Sequence, residues 1–221
     1  MQTIKARPYD FTFDRTATAL LLIDFQRDFM EEGGFGSSLG NDVSLLRAAL
    51  GPARQVLDAA RAAGLFVIHT REGHRPDLAD APPAKLRRGN APLKIGEKGS
   101  LGRLLVRGEP GHGIVSEVAP RDGEPVIDKP GKGAFYATDL DTLLRVRGIR
   151  SLLVAGVTTE VCVHTTVREA NDRGFDCLVI EDAVASYFPE FQRVGLEMIR
   201  AQGGIFGWTA PAASVSSALA G

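Results

Sequence analysis

Short, almost wholly apolar runs alternate with helix-like stretches along this chain, and that alternation constrains its fold most. Residues 17–23 (ATALLLI), 65–69 (LFVIH), 152–157 (LLVAGV) and 177–180 (CLVI) have strand length and little polar alternation. Runs of that kind belong to strands buried on both faces, which parallel sheets require. Residues 124–128 (EPVID) predict a further strand, weakened by Pro125, and residues 204–208 a last short one. Between them lie helical patterns over 52–63, 160–173 and 190–201. Pro52 suits the first turn of its helix, and Gly64 and Gly174 suit left-handed stops. Strands and helices in alternation predict a doubly wound α/β fold, a mainly parallel sheet with helices on both faces.

Residues 71–123 break this pattern. Glycine, proline and charge dominate there, which suits a functional loop, an oligomer contact or a lid. No linker separates two cores, so the whole span 1–221 reads as one domain. The formal net charge of −1 argues against a nucleic-acid binder, which carries a basic surplus. No apolar run approaches the length needed to span a membrane, so no membrane partner is expected. The opening residues lack the apolar core of a secretory signal. Only Cys162 and Cys177 are present, without a CxxC pair, which fits a reducing, cytoplasmic setting.

Ligands of open parallel sheets bind beyond the carboxyl ends of the strands. Asp24 ends the first predicted strand, Lys129 follows the third, and Cys162 lies in the first turn of the helix after the fourth. A carboxylate, an ammonium and a thiol are therefore expected on one edge of the sheet. A thiol becomes a strong nucleophile when it loses its proton. A helix N-terminus and a nearby lysine both favour the thiolate. Asp24 suits a general base and then a general acid. The turn from Val157 to Cys162 offers the backbone N–H groups of Thr158 and Cys162 to an oxyanion. Each residue also has an ordinary role: helix cap for Asp24, surface charge for Lys129, core packing for a cysteine. Cys177, inside a strand, fits that last role well.

The run Leu22-Ile23-Asp24-Phe25-Gln26-Arg27-Asp28-Phe29 resembles the D-x-Q-x-x-F opening of isochorismatase-like cysteine hydrolases. Asp128-Lys129-Pro130-Gly131-Lys132-Gly133 resembles the lysine segment of that family, and Gly156-Val157-Thr158-Thr159-Glu160-Val161-Cys162 its nucleophile turn. The three motifs occur in the family's order and span nearly the whole chain. The resemblance implies a six-stranded parallel sheet, a triad of Asp24, Lys129 and Cys162, and a cis peptide between Val157 and Thr158. It also implies a homo-oligomer, a dimer or a homotetramer.

Metal-dependent nicotinamidases of the family carry an Asp-x-His motif after the second strand. The stretch His69-Thr70-Arg71-Glu72-Gly73-His74 lacks it, so no metal and no cofactor are expected. His74 and His112 read as solvated loop residues, and His164 as helix packing. The stretches 69–78, 127–133, 168–174 and 202–204 resemble biuret and triuret hydrolases, with ureidoacrylate hydrolases more distant. That resemblance implies a small linear ureide as substrate, cleaved at a terminal C–N bond to ammonia and a carbamate-type product, carboxybiuret or allophanate. It places Lys132 and Gln202 near the pocket. Phe29 suits a wall for a planar ligand, Gln26 a loop-orienting role, and Tyr187 a gauge of ureide length. The alternatives are a solvated charge for Lys132, an exposed helix end for Gln202, and packing for Phe29 and Tyr187. The stretch 183–191 departs from the small-residue stretch of biuret hydrolases, which favours triuret.

Two other classes compete. The glycine-rich run 33–40 invites a nucleotide- or flavin-binding reading, but it matches neither the dinucleotide nor the Walker spacing. A non-catalytic oligomeric scaffold would keep the fold and lose activity, and the intact triad argues against it.

Overall fold

The computed structural model describes residues 1–89 and 93–221. Six strands form the central sheet: β1 (Thr18–Ile23), β2 (Phe66–Glu72), β3 (Val126–Lys129), β4 (Ser151–Val157), β5 (Asp176–Ala185) and β6 (Trp208–Ala210). Their spatial order is β6-β5-β4-β1-β2-β3, and every neighbouring pair is parallel. The chain thus winds outward from β1 through β2 to β3, then crosses back to begin the other half at β4. The crevice between β1 and β4 is the topological switch point, where such sheets bind ligands.

Alternate residues of β1 go to opposite cores. Leu20 and Leu22 join one apolar cluster, and Ala19, Leu21 and Ile23 the other. Helices α1 (Leu50–Ala62) and α5 (Ala212–Ala220) cover the first face through Val56, Leu57, Val215 and Leu219. The second is covered by α2 (Leu140–Val146), α3 (His164–Asp172) and α4 (Pro189–Gly204), through Leu144, Val167 and Ile199. The apolar run of β1 is therefore continuous because both of its faces are buried. A small antiparallel ribbon, Gln2–Ile4 with Phe11–Phe13, closes the first face beside α5.

Several boundaries differ from the sequence expectation. β2 runs on past His69 to Glu72, because its polar residues pair with the edge strand β3. β3 begins after Pro125, whose nitrogen has no hydrogen to donate to a ladder. β6 starts at Trp208 rather than 204, since residues 204–207 form a turn in which Gly204 and Gly207 take positive φ values and Gly207 N–H donates to the Gly204 carbonyl. α4 breaks at Ala201–Gly203, where Gln202 and Gly203 are left-handed. Gly64 and Gly174 do stop their helices in left-handed conformations, at φ +71° and +81°. No helix among the described residues is long and apolar enough to cross a membrane.

Candidate active site

Asp24 leaves β1 at the switch point with φ +53°, a conformation that aspartate tolerates better than most residues. Its N–H donates to the Thr70 carbonyl at 3.2 Å, and Gln26 N–H donates back to its carbonyl at 2.7 Å. Across the crevice, Gly156 passes so close that a Cβ there would collide with the Ile23 carbonyl. A glycine at this point of β4 lets the nucleophile strand lie against the end of β1. The chain then turns through a cis Val157–Thr158 peptide, as the resemblance implies. A single π-type turn, Thr159–Val163, carries Cys162 into the start of α3. Lys129 is the last residue of β3.

These three elements bring Asp24, Lys129 and Cys162 together in the interior. Asp24 and Lys129 are fully buried and Cys162 is 4% exposed. Lys129 Nζ lies 2.7 Å from Asp24 Oδ2 and donates to the carbonyls of Gly131 and Lys132 at 3.0 Å each. Thr70 Oγ1 donates to Asp24 Oδ1 at 2.7 Å, so both carboxylate oxygens are engaged. Burial works against the Lys129 charge. The charges of Asp24, then Cys162 and Glu72, outweigh it and hold the ammonium above the ordinary lysine range. Burial pushes the Cys162 thiol well up. Lys129 pulls it down, and the carboxylates of Asp24 and Glu72 push it up further.

A fourth charged residue stands in this cluster. Glu72, at the carboxyl end of β2, is fully buried, and its Oε2 accepts from Cys162 Sγ at 3.5 Å. Lys85 and Lys132 each donate to its Oε1 at 2.8 Å. Burial opposes its ionisation, yet Lys129, Lys132 and Lys85 bring its pKa down to about 2. Sequence reasoning missed Glu72 because it ended β2 at His69. The available signal was position, since a carboxylate at the carboxyl end of a second inner strand faces the same crevice.

A cavity of about 290 Å³ opens onto Cys162, Glu72 and Lys132 at one end. Phe29, Phe35, Leu39, Tyr187 and Phe188 wall the rest, and Thr158 and Glu160 lie beside the nucleophile. Phe29 meets Phe35 edge-on, with ring centroids 6.3 Å apart. Tyr187 Oη donates to the Phe29 carbonyl at 2.6 Å, so its polar atom braces the wall. Gly36 makes room for that tyrosine, since a Cβ there would collide with Tyr187 Oη. Gln202 is exposed at the break in α4 and stands outside the residues that line this cavity. Gln26, fully buried, clasps Glu72. Its Oε1 accepts the Glu72 N–H at 2.6 Å, and its Nε2 donates to the Glu72 carbonyl at 2.9 Å.

The histidines correct one expectation. His74 and His112 are not solvated: they are 0% and 1% exposed. Their loops fold back over the sheet edge, where His74 pairs with Asp80 at 3.2 Å and His112 with Asp128 at 3.4 Å. Burial lowers both, His112 to about 4, so both rings are neutral near pH 7. His164 does pack within its helix, where its Nδ1 accepts from Arg168 at 2.9 Å. Asp24, Glu72 and Cys162 bring ligand-type atoms within 4.8 Å of one another, a spacing that a cation would fit. The Lys129 ammonium, 2.7 Å from Asp24 and 3.9 Å from Glu72, already supplies positive charge to that spot. Cys177 is 1% exposed in β5 and belongs to the core.

A family model described as the isochorismatase domain matches residues 18–210. Among solved structures, the chain is similar to a cysteine hydrolase from Pseudomonas syringae pv. phaseolicola 1448A, at 26% identity and TM-score 0.77 over 95% of each chain. An isochorismatase family protein from Desulfovibrio vulgaris subsp. vulgaris str. Hildenborough shares 29% identity at TM-score 0.76, over 94% of this chain and all of that one. N-carbamoylsarcosine amidase from Thermoplasma acidophilum shares 25% identity at TM-score 0.66, over 88% and 96% of the two chains.

Proposed function

The chain belongs to the isochorismatase family of hydrolases, and from that premise we propose that it is a cysteine-dependent amidohydrolase of small linear ureides, triuret first and biuret next. The observation that carries this reading is the buried group of Asp24, Lys129 and Cys162 at the end of a cavity that Lys132 shares. A thiol, a carboxylate and an ammonium at one point are the parts that nucleophilic cleavage of an amide requires. Lys132 presents a cation to the carbonyl oxygens in which ureides are rich, and Phe29 and Phe35, set edge to face, give the cavity aromatic walls suited to a planar ligand.

In the first half-reaction, Asp24 takes the Cys162 proton as sulfur adds to a terminal carbonyl. The oxyanion is stabilised by the Thr158 and Cys162 N–H groups and the Lys129 charge. Collapse of the tetrahedral species breaks the C–N bond, and the proton held by Asp24 leaves with ammonia. In the second, Asp24 takes a proton from water as its oxygen adds to the thioester-type carbonyl. Cleavage of the C–S bond then returns that proton to sulfur. Triuret yields carboxybiuret, which loses carbon dioxide to give biuret, and biuret yields allophanate. No step draws on a metal or a cofactor.

A second reading is a carbamoyl-amide hydrolase acting on an N-carbamoyl amino acid or ureidoacrylate. The similarity to an N-carbamoylsarcosine amidase favours it. Ammonia release from triuret, biuret, N-carbamoylsarcosine, ureidoacrylate and nicotinamide in parallel, without added metal, separates the two. Preference for triuret or biuret supports the ureide reading. Activity confined to the carboxylate-bearing compounds replaces it with the second. We also propose that the working protein is a dimer or tetramer in the cytoplasm, which light scattering of the purified protein and fractionation of cells test.

A further inference from the structure

Five charged side chains surround Cys162 or its immediate partners. Lys85, Lys129 and Lys132 are positive, and Asp24 and Glu72 are negative. With a neutral thiol these five carry one net positive charge, which loss of the thiol proton neutralises. Glu160, two residues before Cys162 in the same cavity wall, adds a further acidic side chain outside this network of contacts. Two of these ammonium groups, Lys85 and Lys132, end on Glu72 rather than on Asp24. Lys85 comes from the short helix Pro83–Arg87 in the long segment after β2, and it also donates to the Pro130 carbonyl at 2.8 Å. The Glu72 backbone is held on both sides by the side-chain amide of Gln26. A fully buried carboxylate held by an amide clasp and two lysines has little freedom to leave the nucleophile.

We propose that Glu72 is a fourth member of the catalytic cluster, which accepts the hydrogen bond of the resting Cys162 thiol, holds Lys132 in the cavity, and opposes loss of the thiol proton by its charge. This rests on Cys162 being the nucleophile. The arrangement separates two duties. Asp24, engaged by Lys129 and Thr70, moves protons during the reaction. Glu72, saturated by lysines, stays ionised, and its charge sets how much thiolate exists before substrate binds. The depressed pKa of Glu72 agrees with an anion that does not itself take the proton. Lys132 is the cavity-side partner, so a misplaced Glu72 misplaces the cation that meets the substrate carbonyl.

The test reads Cys162 directly, without substrate. Alkylation of the purified protein by iodoacetamide is followed across pH, with mass spectrometry of the Cys162 peptide. Glu72→Gln removes the negative charge, and its alkylation midpoint falls by about one pH unit or more. Glu72→Asp retains the charge, and its midpoint stays within about 0.3 units of the parent. Lys132→Met removes a positive charge at the cavity end, and its midpoint rises. Despite a larger thiolate fraction, Glu72→Gln loses at least about tenfold in kcat/KM, since Lys132 has lost its anchor. A Glu72→Gln midpoint equal to that of the parent, or above it, overturns the proposal. Should that variant fail to fold, an unmoved or lowered Lys132→Met midpoint overturns it instead. Ammonia release that survives complete alkylation of Cys162 is a different result: it removes the nucleophile reading itself.

Discussion

Cys162 Sγ stands 3.5 Å from Glu72 Oε2, and that carboxylate is in turn bonded by Lys85 and Lys132. The thiol therefore rests against a fixed anion, while Asp24 is tied to Lys129 and Thr70. Charges packed this closely in the protein interior affect stability as strongly as reactivity.

Cys162→Ser keeps the packing of the π-type turn, because the hydroxyl is slightly smaller than the thiol and has an acceptor in Glu72. Its melting temperature stays within about 3 °C of the parent, an effect under 1 kcal/mol. Its turnover falls by at least about a thousandfold, because an alcohol is far harder to deprotonate than a thiol. Thermal melts and ammonia release check the two halves.

Lys129→Met leaves Asp24 buried beside an apolar chain. Loss of one partner of a buried pair costs about 3–5 kcal/mol. Adding Asp24→Asn removes the stranded charge, so the double variant unfolds at a higher urea concentration than Lys129→Met alone. Urea titrations of the parent, the two single variants and the double variant measure this coupling.

Glu72 is ionised far below the ordinary glutamate range, with a folded pKa of about 2 against 4.5 unfolded. The unfolded chain binds the proton more readily, so this contribution is complete above about pH 4.5 and disappears as pH falls toward 2. It amounts to roughly 3 kcal/mol. His112 acts in the same direction at higher pH. Its folded pKa of about 4 lies below 6.5, so stability declines from pH 6.5 downward. Urea midpoints measured from pH 7 to pH 3 fall throughout, and Glu72→Gln flattens the part below pH 4.5.

Tyr187→Phe removes the hydrogen bond to the Phe29 carbonyl and leaves a wall of the cavity unbraced. The expected cost is about 1 kcal/mol in stability, with a KM increase of several fold. Steady-state kinetics on triuret and biuret show whether the two substrates are affected equally. Gly36→Ala, which drives a methyl into Tyr187, has the larger effect on KM.

The legible parts of the sequence were those buried on both sides. β1 and β4 advertise themselves as apolar runs, and the polar residues at their ends stand out against them. Asp24 and Cys162 were readable for that reason, and Lys129 from its place after a weaker strand. Glu72 was not readable in the same way. In β2 the polar residues each find a partner only in the fold: Thr70 bonds Asp24, Arg71 meets Asp128 of the edge strand β3 at 2.7 Å, and Glu72 is held by Lys85 and Lys132. An edge pairing satisfied by ions looks like a loop in one dimension. The buried histidines were misread for a related cause. His74 and His112 lie in glycine- and charge-rich sequence, and only the folding of the loops that carry them onto the sheet edge brings Asp80 to His74 and Asp128 to His112. Gln202 was expected near the pocket, and within one chain it sits exposed at the break in α4.

The most direct measurement is ammonia release from triuret by protein whose Cys162 has been alkylated to known extents, with Cys177 monitored as an internal control. With Cys162 as the nucleophile, activity falls in proportion to its alkylated fraction and reaches zero at completion. Release that continues at full alkylation of Cys162 would contradict it.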